Sequence, residues 1–298
     1  MEVYDAAFKI FEKSIRNLEV PEDYKSTVTT GGPIEARYLA DGPYEVSDAA
    51  YPTPEVWKVY EVYYPTALTT RSERWPVVVV ANGVGFPARK CAQIYRHLAS
   101  WGFIVIGNED SKSYSGESVD RSLNFLLEED RREGSVFYGK VDSERVGLIG
   151  HSQGGVATFN AAQQSERHRH EHFGKYSTAV CISPTQEEWA IALHIPYDPS
   201  KTRIPMLILA GARKDVVTLD GLKTFFEKIK TSTTIARRKG ANHVEMLYAA
   251  DGYATAWFMW RLRGDKTAAA AFVGPNPEIA SNPQYVDLMT INWPPQDA

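Results

Sequence analysis

Predominantly apolar runs alternate with amphipathic segments over most of the chain. The apolar runs occupy positions 76–81, 103–107, 145–149, 177–182 and 204–210. Runs of this length are typical of strands that are covered on both faces of a parallel sheet. A weaker strand is predicted at 234–238, and Val and Tyr alternate with polar residues at 56–64, which indicates an earlier strand.

Helical patterns fill the intervals between these runs. They cover about 89–100, 117–132, 153–165, 219–230 and 244–262. Strands that alternate with helices predict an α/β fold, with a mostly parallel central sheet and helices on both faces.

The two ends of the chain show different patterns. Residues 1–23 predict an amphipathic N-terminal helix, with Phe8, Phe11, Ile15 and Leu18 at helical spacing. From about residue 272 the chain is rich in Pro and Asn, and we expect this tail, 272–298, to wrap the surface. With no internal repeat or clear linker, residues 1–298 are predicted to form one domain.

Composition and net charge narrow the classes of molecule that the protein is expected to bind. The 298 residues are 43% hydrophobic and 23% charged, and the net charge of −4 offers no basic footprint for nucleic acid or an anionic membrane. No apolar run reaches the roughly 18 residues of a membrane span. The start lacks the basic and apolar regions of a signal peptide, so we expect a cytoplasmic protein, with a processed secreted form left open.

Cys91 and Cys181 lie in apolar segments and are predicted to be buried free thiols. Oligomeric state is not predicted.

The pentapeptide Gly-His-Ser-Gln-Gly at 150–154 carries the clearest chemical signal. It lies between a predicted strand and a helix rich in small residues. A strand, a sharp turn and a helix with Ser at the apex form a nucleophile elbow, so Ser152 is the candidate nucleophile. His151 is expected to support the turn.

A serine nucleophile needs a base and a carboxylate that orients the base. His243 follows the last predicted strand, and Asp215 lies just past the strand at 204–210. The order Ser152, Asp215, His243 is the order of this architecture. Asp220 competes with Asp215 but is placed to cap the next helix. The remaining His residues lie in predicted helices, in a polar run or in a Pro-bounded loop: His97, His168, His170, His172 and His194.

Backbone N–H groups must stabilise the oxyanion of an acyl-transfer intermediate. The residue after the nucleophile, Gln153, supplies one. The second is expected from the Gly-rich turn after the strand at 76–81, at Val84, with Gly85 as the alternative. Gly85 and Phe86 of this turn are also predicted to contact substrate.

Three further segments are polar or mixed, and two of them, 185–205 and 111–117, are expected beside the predicted crevice. Residues 185–205 predict a short loop and helix whose Trp189 either lines an acyl pocket or packs in the core. Residues 111–117 either bind a polar part of the substrate or form a plain loop. The His- and Arg-rich run 166–172 is expected to be a solvated helix end; alternating His there offers at most weak metal binding, since Arg residues repel cations.

Together these motifs resemble the α/β-hydrolase superfamily, in particular the branch of dienelactone-hydrolase-like esterases, bacterial cutinases and poly(ethylene terephthalate) hydrolases. The resemblance covers roughly residues 56–262. It is carried by VVVVANG at 77–83, LASWGFIVI at 98–106, GHSQGG at 150–155, GARKD at 211–215 and GANH at 240–243. Val84 stands where the polyester hydrolases carry an aromatic residue, and Gln153 stands where they usually carry Met. Dienelactone hydrolases proper use Cys at the position of Ser152.

The resemblance implies an α/β-hydrolase fold with no large lid domain. It implies a serine carboxylesterase that hydrolyses short-to-medium acyl esters, with aromatic and polyester substrates as further options. Amide, peptide or thioester cleavage by the same triad stays open, as does a non-catalytic binding role on this fold. No metal or organic cofactor is predicted, and the expected partner is a small-molecule or polymeric ester.

Overall fold

The computed structural model describes residues 17–167 and 176–291, together with positions 6, 9, 10 and 13. Within them, nine strands form one sheet in the order β1-β2-β4-β3-β5-β6-β7-β8-β9. The strands are β1 (Val46–Pro52), β2 (Val59–Pro65), β3 (Trp75–Ala81), β4 (Ile104–Asn108), β5 (Val141–His151), β6 (Thr178–Ile182), β7 (Met206–Gly211), β8 (Thr233–Arg238) and β9 (Tyr285–Ile291). Strands β3 to β8 pair in parallel, whereas β1, β2 and β9 join the sheet antiparallel.

Helices connect the parallel strands, as the alternating pattern predicts. They are α1 (Tyr24–Thr27), α2 (Pro33–Leu39), α3 (Ala92–Ser100), α4 (Glu117–Glu129), α5 (Gln153–Arg167), α6 (Glu187–Ala192), α7 (Leu219–Lys228), α8 (Met246–Ala249), α9 (Asp251–Arg263), α10 (Lys266–Ala269) and α11 (Glu278–Ser281). Short 3₁₀ turns occupy Thr66–Thr69, Ala88–Cys91, Ser113–Ser115 and Pro199–Lys201.

Both faces of the sheet are covered, which explains the uninterrupted apolar runs. Val77 and Val79 of β3 belong to a core shared with α4, α5 and α7. Val78, between them, belongs to a second core shared with α3 and α9 on the other face. The predicted α/β fold, with a mostly parallel central sheet and helices on both faces, is therefore confirmed. Cys91 and Cys181 are buried free thiols, also as predicted.

The structure corrects the predicted ends. The tail does not simply wrap the surface from residue 272, because Phe272 is buried and β9 pairs with β8 at the edge of the sheet. The predicted helix at 244–262 is two helices, α8 and α9, and β1 was not predicted. Positions 6, 9, 10 and 13 are helical and Leu18 is exposed, whereas the other predicted contact residues, Phe8, Phe11 and Ile15, lie outside the described residues.

Among the described residues, none of the helices has both the length and the apolar character that crossing a bilayer requires.

Candidate active site

Ser152 occupies the sharp turn between β5 and α5. Its φ of 60° lies in the left-handed region, which a non-glycine residue adopts at a cost, so the surrounding packing must hold this conformation. Glycine is required on both sides of the turn. A Cβ on Gly150 would lie 2.1 Å from the carbonyl oxygen of Gly154, and one on Gly154 would lie 2.2 Å from that of Ala81. The local sequence therefore produces a tight elbow that presents the Ser152 hydroxyl at the carboxyl edge of the sheet.

The structure brings Ser152, His243 and Asp215 together, although they lie on three separate loops. The Nε2 atom of His243 is 2.9 Å from Ser152 Oγ, and its Nδ1 atom is 2.9 Å from Asp215 Oδ1. A carboxylate only accepts hydrogen bonds, so Nδ1–H donates to Asp215 and Nε2 accepts from the Ser152 hydroxyl. This is the tautomer that a general base for Ser152 requires.

The side chain of Asp215 is 3% exposed and receives several hydrogen bonds. Its Oδ2 atom accepts from the Ser183 hydroxyl at 2.6 Å and from Gly211 N–H at 2.5 Å, and Oδ1 accepts from Val216 N–H at 2.6 Å. Burial acts to raise the pKa of Asp215, but the hydrogen bond and charge of His243, with the donors Ser183 and Gly211, lower the pKa below its usual value. The carboxylate is thus kept ionised beside His243.

Ser183 was not recognised in the sequence. It directly follows β6, the strand next to β7, whose end carries the Asp215 loop. Because parallel strands end at the same edge, the residue after β6 reaches the carboxylate after β7. A short polar residue at the end of a neighbouring strand is the one signal that identifies it.

His151 supports the loop of His243 as well as the elbow. Its Nε2 atom lies 2.7 Å from the carbonyl oxygen of His243, and the two rings stack with centroids 4.6 Å apart. Since a carbonyl only accepts, the proton of neutral His151 is on Nε2. Burial, with repulsion from His243 as the next cause, lowers the pKa of His151 to about 3, so this ring stays neutral.

The two predicted oxyanion donors lie on elements that touch. Gln153 is the first residue of α5, where N–H groups have no intrahelical acceptor. The start of α5 abuts the loop after β3, as the close approach of Gly154 to Ala81 shows. Within residues 17–167 and 176–291, neither Val84 N–H nor Gln153 N–H donates to another group.

A polar network anchors this loop, which we call the oxyanion loop (residues 82–86). The side-chain amide of Asn82 donates to the carbonyl oxygens of Asn108 and Asp110, at 2.8 and 2.9 Å. The Ser113 hydroxyl donates to the carbonyl oxygen of Asn82 at 2.7 Å. The Gln153 side chain donates to the carbonyl oxygen of Ser111 at 3.2 Å. The loop after β4 therefore fixes both the oxyanion loop and the start of α5.

The residues predicted to contact substrate differ in exposure. Gly85 lines an open cavity. Phe86 is only 3% exposed and its ring packs edge-on against His151, which leaves little of this side chain for the predicted contact with substrate. Trp189 on α6 is 44% exposed. Gln186, just before α6, accepts from Thr218 in the loop after β7, so Trp189 lies on a helix tied to the Asp215 side of the site.

The other candidate residues lie elsewhere. Thr218, not Asp220, caps α7, and Asp220 is an exposed partner of Lys223. His97 is buried and bonded to the carbonyl oxygen of Ala40, and His194 is exposed. Positions 168, 170 and 172 of the His-rich run are outside the described residues. Across the part of the chain that is described, no group of three or more His, Cys, Asp or Glu could hold a metal ion.

Comparison with known proteins gives the same superfamily. A 125-residue stretch is 33% identical to a bis(hydroxyethyl) terephthalate hydrolase of Streptomyces coelicolor, covering 41% of this chain and 39% of the relative. Over 191 residues, the chain is 25% identical to cutinase 2 of Thermobifida cellulosilytica and to cutinase cut1 of Thermobifida fusca. Both matches cover 61% of this chain. They cover 64% of cutinase 2 and 52% of cutinase cut1. The chain therefore spans between 39% and 64% of the length of these three relatives.

The family model described as PETase, PET hydrolase-like, matches residues 27–287, which include the whole sheet from β1 to β8 and all three residues of the Ser152 site. Since this match extends over most of the chain, the protein belongs to the PET hydrolase-like family.

Proposed function

We propose that this protein is a serine carboxylesterase that hydrolyses short-to-medium acyl esters through an acyl-enzyme intermediate. The observation that carries the proposal is the continuous hydrogen-bonded chain from Asp215 through His243 to Ser152, with both links at 2.9 Å. The strained φ of Ser152 supports it, because such strain persists where a nucleophile must be presented.

The proposed reaction uses each group in turn. Ser152 Oγ attacks the ester carbonyl carbon while His243 Nε2 takes the hydroxyl proton, and Asp215 stabilises the imidazolium. The carbonyl oxygen becomes an oxyanion held by the N–H groups of Val84 and Gln153. As the C–O bond to the alcohol breaks, His243 returns the proton to the leaving oxygen. A water molecule then repeats the sequence on the acyl-enzyme and releases the carboxylic acid.

Aromatic and polymeric esters are part of the proposal. The matched relatives are named for activity on bis(hydroxyethyl) terephthalate and as cutinases, which supports esters of this kind for the present chain. Trp189 and Ile191 of α6 expose apolar surface on the Asp215 side of the site, where an aromatic ring or a polymer segment would pack. Gly85, Val84 and Trp189 are the proposed contacts with substrate.

The experiment compares bond types at the same acyl group. Wild-type protein and Ser152→Ala are assayed on p-nitrophenyl butyrate, the matching p-nitroanilide and the matching thioester. We expect hydrolysis of the ester, slower hydrolysis of the anilide, and a loss in kcat on the order of 10⁴–10⁶ in the variant. Preference for the anilide or the thioester would replace the carboxylesterase by that activity. Failure of wild type on all three would favour a binding role.

A further inference from the structure

The two loops that carry Asp215 and His243 lie side by side beyond the sheet. The Asp215 loop (residues 212–218) connects β7 to α7, and the His243 loop (residues 239–245) connects β8 to α8. Strands β7 and β8 are parallel neighbours, so both loops leave the same edge of the sheet. The relative position of the candidate base and carboxylate therefore depends on contacts between these loops.

Backbone hydrogen bonds hold the loops together. Arg213 N–H donates to the carbonyl oxygen of Ala241 at 3.1 Å, and His243 N–H donates to that of Lys214 at 3.3 Å. Lys214 has φ of 49°, in the left-handed region, and it lies between Arg213 and Asp215. Such a conformation persists only where the surrounding contacts hold it. The position of Asp215 therefore depends on how Arg213 is anchored.

Glu245 links the two loops through its side chain. Its Oε2 atom accepts from Asn242 N–H at 2.9 Å and from the guanidinium of Arg213 at 3.0 Å. In return, the side-chain oxygen of Asn242 accepts from the N–H groups of Val244 and Glu245, at 3.0 and 3.1 Å. This reciprocal pattern is a capping box, which fixes the backbone of the turn that leads into α8. His243 directly follows Asn242, so it lies inside the box.

One carboxylate oxygen thus serves both loops. Arg213 lies two residues before Asp215, and Glu245 lies two residues after His243. The ion pair is partly exposed, with side-chain exposures of 56% for Arg213 and 38% for Glu245. An exposed pair adds little to global stability, because solvent screens it. What distinguishes this pair is its place between the loops of the candidate base and carboxylate.

We propose that Arg213 and Glu245 are positioning residues for the reaction of Ser152. The bridge between them holds the Asp215 loop against the His243 loop, and so maintains the 2.9 Å contact between His243 Nδ1 and Asp215 Oδ1. The inference rests on the proposed carboxylesterase function. Both residues act through the loops and not by contact with substrate.

Single variants, assayed on p-nitrophenyl butyrate, separate the links. Arg213→Met keeps the aliphatic stem and removes the ion pair. Glu245→Gln removes the charge but keeps an oxygen for Asn242 N–H, whereas Glu245→Ala removes both links. We expect kcat to fall about threefold in the first two and about tenfold in the third, with KM within about twofold of wild type. Arg213→Lys, which retains the charge, should recover most of the loss.

The double variant Arg213→Met/Glu245→Gln tests whether the two residues act as one unit. Its kcat should equal that of either single variant, because the same ion pair can be lost only once. In 0.5 M NaCl the kcat of wild type should fall towards that of Arg213→Met, since salt screens a partly exposed pair. The kcat of Arg213→Met itself should not change.

Arg96→Met is the matched control. Arg96 and Asp48 form an ion pair of similar exposure, 44% and 49%, between α3 and β1. We expect wild-type kcat for this variant and closely similar urea midpoints for Arg96→Met and Arg213→Met, which excludes general destabilisation as the cause of a lower kcat. The rate at which a fluorophosphonate labels Ser152 should fall by the same factor as kcat, because both reactions use the same base.

The outcomes separate the two proposals. Hydrolysis that depends on Ser152, with both single variants matching the Arg96→Met control in kcat, would overturn the positioning role and leave the esterase function standing. Losses that multiply to about ninefold in the double variant would also overturn it, because the two residues would then act independently. Absence of both hydrolysis and labelling in wild type would overturn both proposals.

Discussion

His151 stacks on His243 with ring centroids 4.6 Å apart and an interplanar angle of 30°, and it is hydrogen bonded at 2.7 Å to the carbonyl oxygen of the same residue. The residue before the candidate nucleophile therefore fixes both the backbone and the ring face of the candidate base. His151 is held neutral, since burial lowers its pKa to about 3. It thus positions His243 without adding a charge to the site.

Loss of this hydrogen bond should reduce turnover. His151→Phe keeps a flat ring for stacking but removes the Nε2–H donor, so the loop of His243 loses one anchor. We expect kcat to fall about tenfold with little change in KM, as for the loss of one buried hydrogen bond. His194→Asn, a change at an exposed histidine, is the control and should match wild type. A kcat for His151→Phe equal to that of the control would show that His151 does not position the base.

Ser183 should affect the pH profile as well as the rate. Its hydroxyl donates to Asp215 Oδ2, and this bond is one cause of the lowered pKa of Asp215. In Ser183→Ala the pKa of Asp215 rises, so the carboxylate takes up a proton at a higher pH. We expect kcat/KM to fall about fivefold at neutral pH. We also expect the acid limb of the pH profile of kcat/KM to shift to higher pH.

A profile of Ser183→Ala that is scaled down but not displaced would contradict this role. It would mean that Ser183 only fills space at the end of β6.

The elbow should not tolerate a Cβ at Gly154. The added carbon would lie 2.2 Å from the carbonyl oxygen of Ala81, which is backbone and cannot rotate away. We expect Gly154→Ala to be destabilised by about 2 kcal/mol or more in urea unfolding and to lose most of its activity. Gly139→Asn is the control, because a Cβ there meets nothing within 4 Å and Asn tolerates its φ of 68°. Wild-type stability of Gly154→Ala would show that the elbow is looser than described.

The contribution of Asp120 to the stability of the folded protein is expected to fall as pH rises. Burial raises the pKa of this carboxyl group to about 7, although the hydrogen bond from Tyr176 opposes the shift. The usual pKa of an aspartate is near 3.8. Between that pH and about pH 7, the carboxyl group of Asp120 keeps its proton in the folded protein, whereas the unfolded chain releases it. The contribution of Asp120 is therefore most favourable below about pH 4 and is lost as pH rises to 7, by up to about 4 kcal/mol.

Asp120→Asn removes this titration and keeps an oxygen that accepts from Tyr176. We expect the variant to gain stability relative to wild type as pH rises from 4 to 8, measured by urea unfolding at each pH. Asp220→Asn is the matched control, since Asp220 also lies in the first turn of a helix but its side chain is 90% exposed. A difference between Asp120→Asn and wild type that does not change with pH would contradict the raised pKa.

The central strands and the Ser152 site were predictable, whereas the edges of the sheet were not. Strands β3 to β7 are covered on both faces and so produce apolar runs that are visible in the sequence. Strand β1 is half-exposed at the edge, and its residues Val46–Pro52 include Ser, Asp and Pro, so no apolar run marks it. Strand β9 similarly mixes Asp287 and Thr290 with apolar residues.

Contacts between distant segments limited the prediction of the site. Ser183 lies 32 residues from Asp215 in the sequence, and only the adjacency of β6 and β7 brings the two together. Phe86 was predicted to contact substrate, but its ring packs in a core cluster and against His151. The candidate nucleophile, base and carboxylate follow from local motifs, whereas the residues that hold them follow from tertiary packing.

The most direct test of the account is covalent labelling of Ser152 with a fluorophosphonate, followed by peptide mapping. The account predicts one adduct per chain, located on Ser152, absent in Ser152→Ala, and formed at least about 100-fold more slowly in His243→Ala because the hydroxyl then lacks its base. An adduct on another residue, or ester hydrolysis that persists at the wild-type rate in Ser152→Ala, would contradict it.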